Sequence, residues 1–455
     1  MKIVVGGASS VGRSIVGYLS LGNNDIVVVD EDTAKLEELA KEYDIQPMLG
    51  VISHPDVQES VGMKNIDMLI AVTDSDEINM VACQVAHTLF NVPRKIARVD
   101  SPYFLNPLWN SLYNEKSLPI DLVITPDVEI AGFILNLLNL PGSTAVFPFL
   151  NNRINIFAFR VRGADTPYVR FSLPHINQKL AEMQAKIVLL LRDNRIIPSF
   201  DEQQHLQNND LVYVVCDSAR DMEIMRLFGI DHNPYEKVVI FGANTISYYL
   251  ASQFEEKENI GSCSIIESDV HKAAKMAESL NTTAVITGEM LSDVILQDVG
   301  FTKADVSIAV TDHDKDNLLI SLLASKNSET QALSLVNSKD YDVLALNIDN
   351  NVIIDRSVIT ISAILKYLRR ARIREAYSIG LNMGEIWEIR LGEDSSNLGQ
   401  SIKDLNIPSA SGILAVCRGA ELLFDSATIH LQADDILLVY VSPRDIRKIE
   451  SIFYL

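Results

Sequence analysis

Two short turns carry the residue types from which a phosphate site can be built. Gly7, Ala8, Ser9, Ser10, Val11 and Gly12 follow an apolar run and lead into a helical stretch. In such a strand, turn and helix, glycine permits the tight bend, lets the backbone approach a pyrophosphate, and seats the helix on the sheet. The helix N-terminus adds unpaired N–H groups and partial positive charge. Ser9 stands where the middle glycine of the pattern belongs, so a Cβ sits at the closest approach, and its hydroxyl must donate to a phosphate oxygen to compensate. Asp30 ends the next apolar run, DIVVVD, where a carboxylate accepts ribose hydroxyls and repels a 2′-phosphate, favouring NAD over NADP. Its competing use is to help cap a helix starting near Thr33. Thr73 and Asp74 follow MLIAV, at the rim where open α/β sheets bind ligands, and are also suited to cap the helix EINMVACQ. Arg98, after a fifth apolar run, is placed to meet a phosphate or a surface ion-pair partner.

A reduced version of this equipment returns later. Gly242, Ala243, Asn244, Thr245, Ile246 and Ser247 keep only the first glycine, Glu267 takes the ribose-contacting place, and Asp312 and Asp314 repeat the acidic loop. Nucleotide binding and structural relic are both open readings of this second turn. Asp312, Asp314 and Asp316 resemble the opening of a calcium loop, but Asn317 stands where glycine is needed and Leu323 where a bidentate Glu should be. No metal site is expected.

The elements that must position these residues are themselves repeated. KIVVGGASSVGRSIVGYL at 2–19 reappears as KVVIFGANTISYYLASQF at 237–254, and DMLIAVTDSDEIN at 67–79 as DVSIAVTDHDKDN at 305–317. Short Val- and Ile-rich runs alternate with amphipathic helices over 1–125 and again over 235–353, which implies crossover connections and two doubly wound parallel sheets. Helices are expected at 127–142 and 357–375 as connectors. Between and after them, strand patterns over 143–226 and 375–455 imply two small α+β satellites, with HLQNNDLVYVV at 205–215 echoed by HLQADDILLVYV at 430–441. The fold class is thus α/β, a tandem duplication of a sheet domain and its satellite.

Bulk properties narrow the partners. The 455 residues are 47% apolar with net charge −21, so nucleic acid or an anionic lipid surface is not an expected main partner. No apolar run reaches the roughly 18 to 20 residues needed to span a bilayer, and no secretion signal is expected at MKIVVGG. Four scattered cysteines without a C-x-x-C pair suit a reducing cytosol.

These parts, with phrases such as DMLIAVTDSDEINMVACQVAHTLFN, SHPDV, RKIARVDSP, PIDLVITP and the terminal D-x-L-L-V-Y-V segment, make the chain resemble the TrkA family of potassium-uptake regulators over essentially its full length. The resemblance implies two tandem RCK modules, each a Rossmann-like N-subdomain with a C-subdomain. It also implies a cytoplasmic protein, peripherally attached through a potassium-translocating membrane subunit of the TrkH/TrkG kind and assembled as a homo-oligomer, with a tetramer expected. NAD(H) is the implied ligand, with ATP and ADP beside it. Nucleotide contacts carry over to Gly7, Ala8, Ser9, Ser10, Val11, Asp30, Thr73, Asp74 and Arg98, and to Gly242, Ala243, Asn244, Thr245, Ile246, Glu267 and Asp314. The chain departs from the family pattern at Ser9, at Ile52 where glycine is usual, at Asp100 where arginine is usual, and in the second turn.

Two other functions compete. A NAD-dependent oxidoreductase needs an acid or base beside a substrate pocket, and His54 and His313, the histidines nearest the clefts, read as loop residues. A redox-responsive DNA-binding regulator has only the basic stretch Lys366, Arg369, Arg370, Arg372 and Arg374 in its favour, which complements a helix C-terminus equally well.

Overall fold

The computed structural model describes all residues except 23, 102–103, 105–110, 163–167, 169, 194, 198–203, 231–234, 258–259, 328–329, 338–350, 369–372, 381–382, 425–428 and 454–455. The first sheet contains β1 (Lys2–Gly6), β2 (Asp25–Asp30), β3 (Gln46–Leu49), β4 (Met68–Ala71), β5 (Arg94–Arg98) and β6 (Leu122–Ile124). Its order is β3-β2-β1-β4-β5-β6 and every pairing is parallel. The chain leaves β1 toward β2 on one side and β4 toward β5 on the other, so the connections after these two paired strands run in opposite directions, the switch point at which open α/β sheets bind ligands. Helices α1 (Ser10–Leu19), α2 (Thr33–Glu42), α3 (Pro55–Ser60), α4 (Asp76–Phe90) and α5 (Pro126–Asn139) follow in chain order. Burial on both sheet faces explains why β1 and β4 read as unbroken apolar runs. β3 and β6 carry little apolar signal in the sequence; QPML is largely exposed and LVI is three residues long.

The first satellite is a five-stranded sheet of β7 (Ala145–Phe149), β8 (Ile154–Arg160), β9 (Lys186–Arg192), β10 (Arg195–Ile197) and β11 (Leu211–Asp217), with α6 (Leu173–Ala181) and α7 (Asp221–Leu227). Its order is β10-β9-β11-β8-β7, with antiparallel pairing throughout. The doubly wound pattern restarts with β12 (Lys237–Phe241), β13 (Ser262–Glu267), β14 (Ala284–Thr287), β15 (Val306–Ala309), β16 (Gln331–Val336) and β17 (Asn351–Asp355), in the order β14-β13-β12-β15-β16-β17. Its helices are α8 (Thr245–Lys257), α9 (Val270–Ser279), α10 (Asp293–Asp298) and α11 (Asp314–Ala324). A connector, α12 (Arg356–Leu368), precedes the second satellite of β18 (Ile373–Ser378), β19 (Glu385–Arg390), β20 (Gly412–Arg418), β21 (Glu421–Leu423), β22 (Ile436–Val441) and α13 (Ile446–Ile452). The connector helix expected over 357–375 therefore ends at Leu368, and Arg374 lies in a strand. Arg369, Arg370 and Arg372 of the basic stretch lie outside the described residues.

The two satellites carry the same staple. In the first, Arg192 donates to Asp210 and to the His205 carbonyl; in the second, Arg418 donates to Asp435 and to the His430 carbonyl. Gln207 and Gln432 donate their N–H groups to the same carboxylates. The satellites also share one apolar core, in which the Tyr377 ring lies 5.3 Å from Phe147 and 5.2 Å from Phe149.

Cα packing divides the molecule into two compact units. One holds Met1–Ile130 together with Asp355–Tyr367; the other holds Ala131–Leu335 and Leu368–Leu455. Helix α12, which the chain makes after the second sheet, thus packs with the first one.

One buried acid tunes the first satellite. Asp221, 7% exposed, accepts from the Cys216 thiol at 3.0 Å and from Asn155 at 2.5 Å. Burial raises its pKa from 3.8 to about 6, against the lowering effect of both hydrogen bonds. Because the folded pKa exceeds the unfolded one, the proton stabilises the fold, fully below the unfolded value, and this contribution is lost as pH rises through about 6. Asp221→Asn, which keeps the shape without the charge, is expected to stabilise this satellite by about 2 to 3 kcal/mol at pH 7.5 and by little at pH 4. Hydrogen exchange of β8 and β11 at the two pH values measures it.

Candidate functional site

At the carboxyl end of β1 the chain reverses through Gly7, whose φ of 112° favours glycine and whose N–H donates to the Val29 carbonyl at 2.8 Å. A Cβ on Gly7 would stand 2.7 Å from the Val72 carbonyl oxygen, so the turn lies directly against the end of β4. Ala8 and Val11 are buried beneath it, and Ser10 opens α1 in an exposed position. Its N-cap residue, Ser9, makes no side-chain capping bond among the described residues. The Ser9 hydroxyl points back, 3.4 Å from the Val72 carbonyl, and does not cap the helix.

Asp30 is built into this turn. Its Oδ2 accepts from Ala8 N–H at 2.6 Å and its Oδ1 from Asp32 N–H at 2.8 Å. The helix cap is Asp32, which accepts from Ala34 and Lys35, so the capping alternative for Asp30 is replaced by a bridge between turn and second strand. At the opposite rim the α4 cap is Ser75, not Thr73 or Asp74. Thr73 is held instead by Asn79, a wholly buried residue that accepts from Thr73 N–H and Oγ1 and donates to the carbonyls of Thr73 and Arg98. Asn79 was missed in the sequence. It was legible, because the repeated phrase ends on it and on Asn317, which holds Thr311 in the same way.

Arg98 is committed before any ligand arrives. Its Nε and Nη2 meet one oxygen of Asp100 at 2.7 and 2.6 Å, and Nη1 lies 3.3 Å from Asp74. The other Asp100 oxygen is buried without a hydrogen-bond partner among the described residues. Asp76 turns both oxygens onto the N–H groups of Asp100 and Ser101. Burial works against the Arg98 charge, yet Asp100, Asp74 and Asp127 hold its pKa above the usual arginine value. Burial also raises the Asp100 pKa, and the nearby Asp127 and Asp76 add to it, outweighing Arg98. Carboxylates outnumber cations on this rim, which raises Arg98 outright and adds to the effect of burial on Asp100.

The second turn repeats the bridge but closes its own helix end. Gly242 has φ of 104°, and Glu267, 6% exposed, accepts from Ala243 N–H at 2.7 Å and Asp269 N–H at 2.9 Å. Asn244 donates to the Val310 carbonyl at 2.5 Å, while Asn244 N–H donates to Ser247 Oγ and Ser247 N–H to Asn244 Oδ1. Thr245 begins α8 and Ile246 is buried. Asp314 begins α11, and Asp312 lies 3.3 Å from Lys272. Ile52, expected as a departure, fills the space beside Gly6, where a Cβ would meet it at 2.6 Å. Among the described residues no cluster of three His, Cys, Asp or Glu side chains fits a metal, and no helix is long and apolar enough to cross a membrane.

These parts define a class: duplicated dinucleotide-fold proteins in which each parallel sheet is paired with an antiparallel satellite. Residues 3–126 and 238–355 match the TrkA-N domain and residues 386–454 the TrkA-C domain. The chain belongs to the TrkA family. It is 32% identical over 453 residues to the Trk system potassium uptake protein TrkA of Azorhizobium caulinodans, covering 100% of this chain and 98% of that one. The protein of the same name from Halomonas elongata is 31% identical over 463 residues, with the same coverage. A solved structure of the GsuK channel bound to NAD shares the fold, with TM-score 0.62 and 17% identity over 100% of this chain and 79% of that one.

Proposed function

We propose that this protein is a regulatory subunit of potassium uptake that senses NAD(H), and adenine nucleotides more weakly, in its first cleft. The observation that carries the reading is the start of α1, where Ser9 makes no side-chain capping bond, beside a carboxylate fixed by two backbone N–H groups, at the point where the connections after β1 and β4 run in opposite directions. Phosphates suit the former and ribose hydroxyls the latter. The names of the relatives and the NAD-bound GsuK channel support it. The regulator reading is preferred to the oxidoreductase one on the names of the relatives; His54 and His313 stand just before helices α3 and α11. Occupancy that favours one arrangement of the assembled protein, by typically about 1 to 3 kcal/mol, would act on a membrane partner. That partner is a potassium-translocating membrane subunit of the TrkH/TrkG kind, through which this protein attaches to the cytoplasmic face of the membrane, and the assembly is a homo-oligomer, taken as a tetramer.

The acid-rich rim gives the ligand order: NAD(H) carries fewer negative charges than ADP or ATP and binds more tightly. Asp30→Ala is expected to weaken NADH binding at least about tenfold, because it removes the ribose acceptor and frees the turn. Calorimetric titration reads the affinity, and potassium flux in vesicles holding the partner reads the regulation. Unchanged NADH affinity in Asp30→Ala, or flux indifferent to every nucleotide, defeats the proposal.

A further inference from the structure

The rim beside Arg98 poses an electrostatic problem for any phosphate-bearing ligand. Arg98 is shared by Asp100 and Asp74, with Asp76 and Asp127 close behind, so a diphosphate entering there meets carboxylates and one already neutralised guanidinium. A second cation stands in the same network. Arg356, the first residue of α12, pairs with Asp127 at 2.5 Å and donates through Nε to Asn337 at 2.7 Å. Its side chain is 16% exposed, and Asp127 acts electrostatically on both Arg98 and Asp100.

The backbone around Arg356 brings it to the phosphate end of the cleft. The next residue, Ser357, lies with its hydroxyl 2.6 Å from that of Ser14, which is itself 2.7 Å from the carbonyl of Ser10, the first residue of α1. The start of α12 therefore rests on α1 at its fifth residue, one turn in from the helix end that faces the phosphates. The connector in the corresponding place of the first half, α5, opens with Pro126, which offers no cation.

We infer that Arg356 is a ligand-binding residue of the first cleft, taking the diphosphate of the nucleotide in exchange for Asp127. This rests on the reading of that cleft as a nucleotide site. The exchange makes α12 a part of the binding site, so the segment leading into the second satellite feels whether the first cleft is filled. A guanidinium matches two phosphate oxygens as it matches a carboxylate, which lets one partner replace the other without loss of hydrogen bonds. If Arg356 and Asp127 served only to clamp α12 to α5, removing either would have the same effect. In the exchange they have opposite effects, because Asp127 competes with the ligand.

The test is titration of the full chain with NADH, ADP and adenosine. Arg356→Gln is expected to weaken NADH and ADP at least about tenfold and to leave adenosine unchanged, since adenosine lacks the phosphates. Asp127→Asn is expected to strengthen NADH and ADP several-fold, and Arg356→Lys to restore part of the affinity. Hydrogen exchange at α12 should slow on addition of NADH to the unsubstituted chain and not in Arg356→Gln. Equal losses for adenosine and NADH in Arg356→Gln, or weaker NADH binding in Asp127→Asn, overturn the inference. If the unsubstituted chain binds NADH while Arg356→Gln binds it equally well, this inference falls alone; if the unsubstituted chain binds no adenine nucleotide, the functional reading falls with it.

Discussion

Gly12→Ala is expected to abolish NADH binding in the first cleft and to destabilise the first unit by about 3 kcal/mol or more. A Cβ at this position would lie 1.9 Å from the Gly7 carbonyl oxygen and 2.9 Å from its carbon. To relieve that overlap the turn has to open by about an ångström, since non-bonded carbon atoms rest near 3.5 Å or more. Gly7 has nowhere to go, because it is tied to the Val29 carbonyl on one side and pressed against Val72 on the other. Opening the turn also breaks the bond from Ala8 to Asp30, so both halves of the site are lost together. The second turn shows what a side chain at this position requires. Ser247 follows Gly242 at the spacing at which Gly12 follows Gly7, and a Cβ on Gly242 would stay 3.2 Å from Thr311. That turn is looser against its next strand, and the serine hydroxyl satisfies the helix end itself. Calorimetry with NADH and thermal unfolding of Gly12→Ala decide the matter; wild-type affinity in the variant would refute this account of the turn.

The second large effect concerns stability. Arg418→Met is expected to cost the second satellite about 3 to 5 kcal/mol, because it leaves a buried carboxylate without its counter-charge. The Asp435 side chain is 0% exposed and receives two parallel bonds of 2.8 Å from Arg418; what remains after substitution is the N–H of Gln432, also at 2.8 Å. Asp435→Leu added to Arg418→Met should recover most of the loss, since replacing both partners removes the uncompensated charge. The chain has several domains, so the readout is hydrogen-exchange protection of β20 and β22 and not a single melting temperature. Protection unchanged in Arg418→Met would show that the carboxylate is not held by that pair.

Much of this architecture was readable in advance because the two sheets are buried on both faces. β1 and β2 announce themselves as Val- and Ile-rich runs and β4 as an unbroken apolar one, and the repetition of two phrases pins the second sheet to the first. Elements with weaker burial left no such mark: β3 exposes most of its four residues. Helix α6 was passed over although Leu173, Ile176 and Leu180 keep helical spacing. At the site, residues bonded within one turn were legible and those joined through the fold were not. Asp30 and Glu267 stand at strand ends whose role follows from the topology. Asp127 and Arg356 are separated by 229 residues, and no local spacing connects them. For Arg98 the sequence offers a phosphate or an ion-pair partner, and the structure shows the ion pairs, with Asp100 and Asp74, whose choice depends on side-chain geometry that spacing does not convey.

The lodging of α12 against the first sheet bears on how such a chain arose. If the present molecule descends from a gene of half its length, the product of that gene had no second sheet of its own from which to receive this helix, and its α1 face would have been left bare. Two copies trading connectors would have covered both faces, an order in which pairing precedes fusion. Joining them end to end would then free each turn to drift alone, as Ser9 and Gly12 in one and Asn244 and Ser247 in the other now differ.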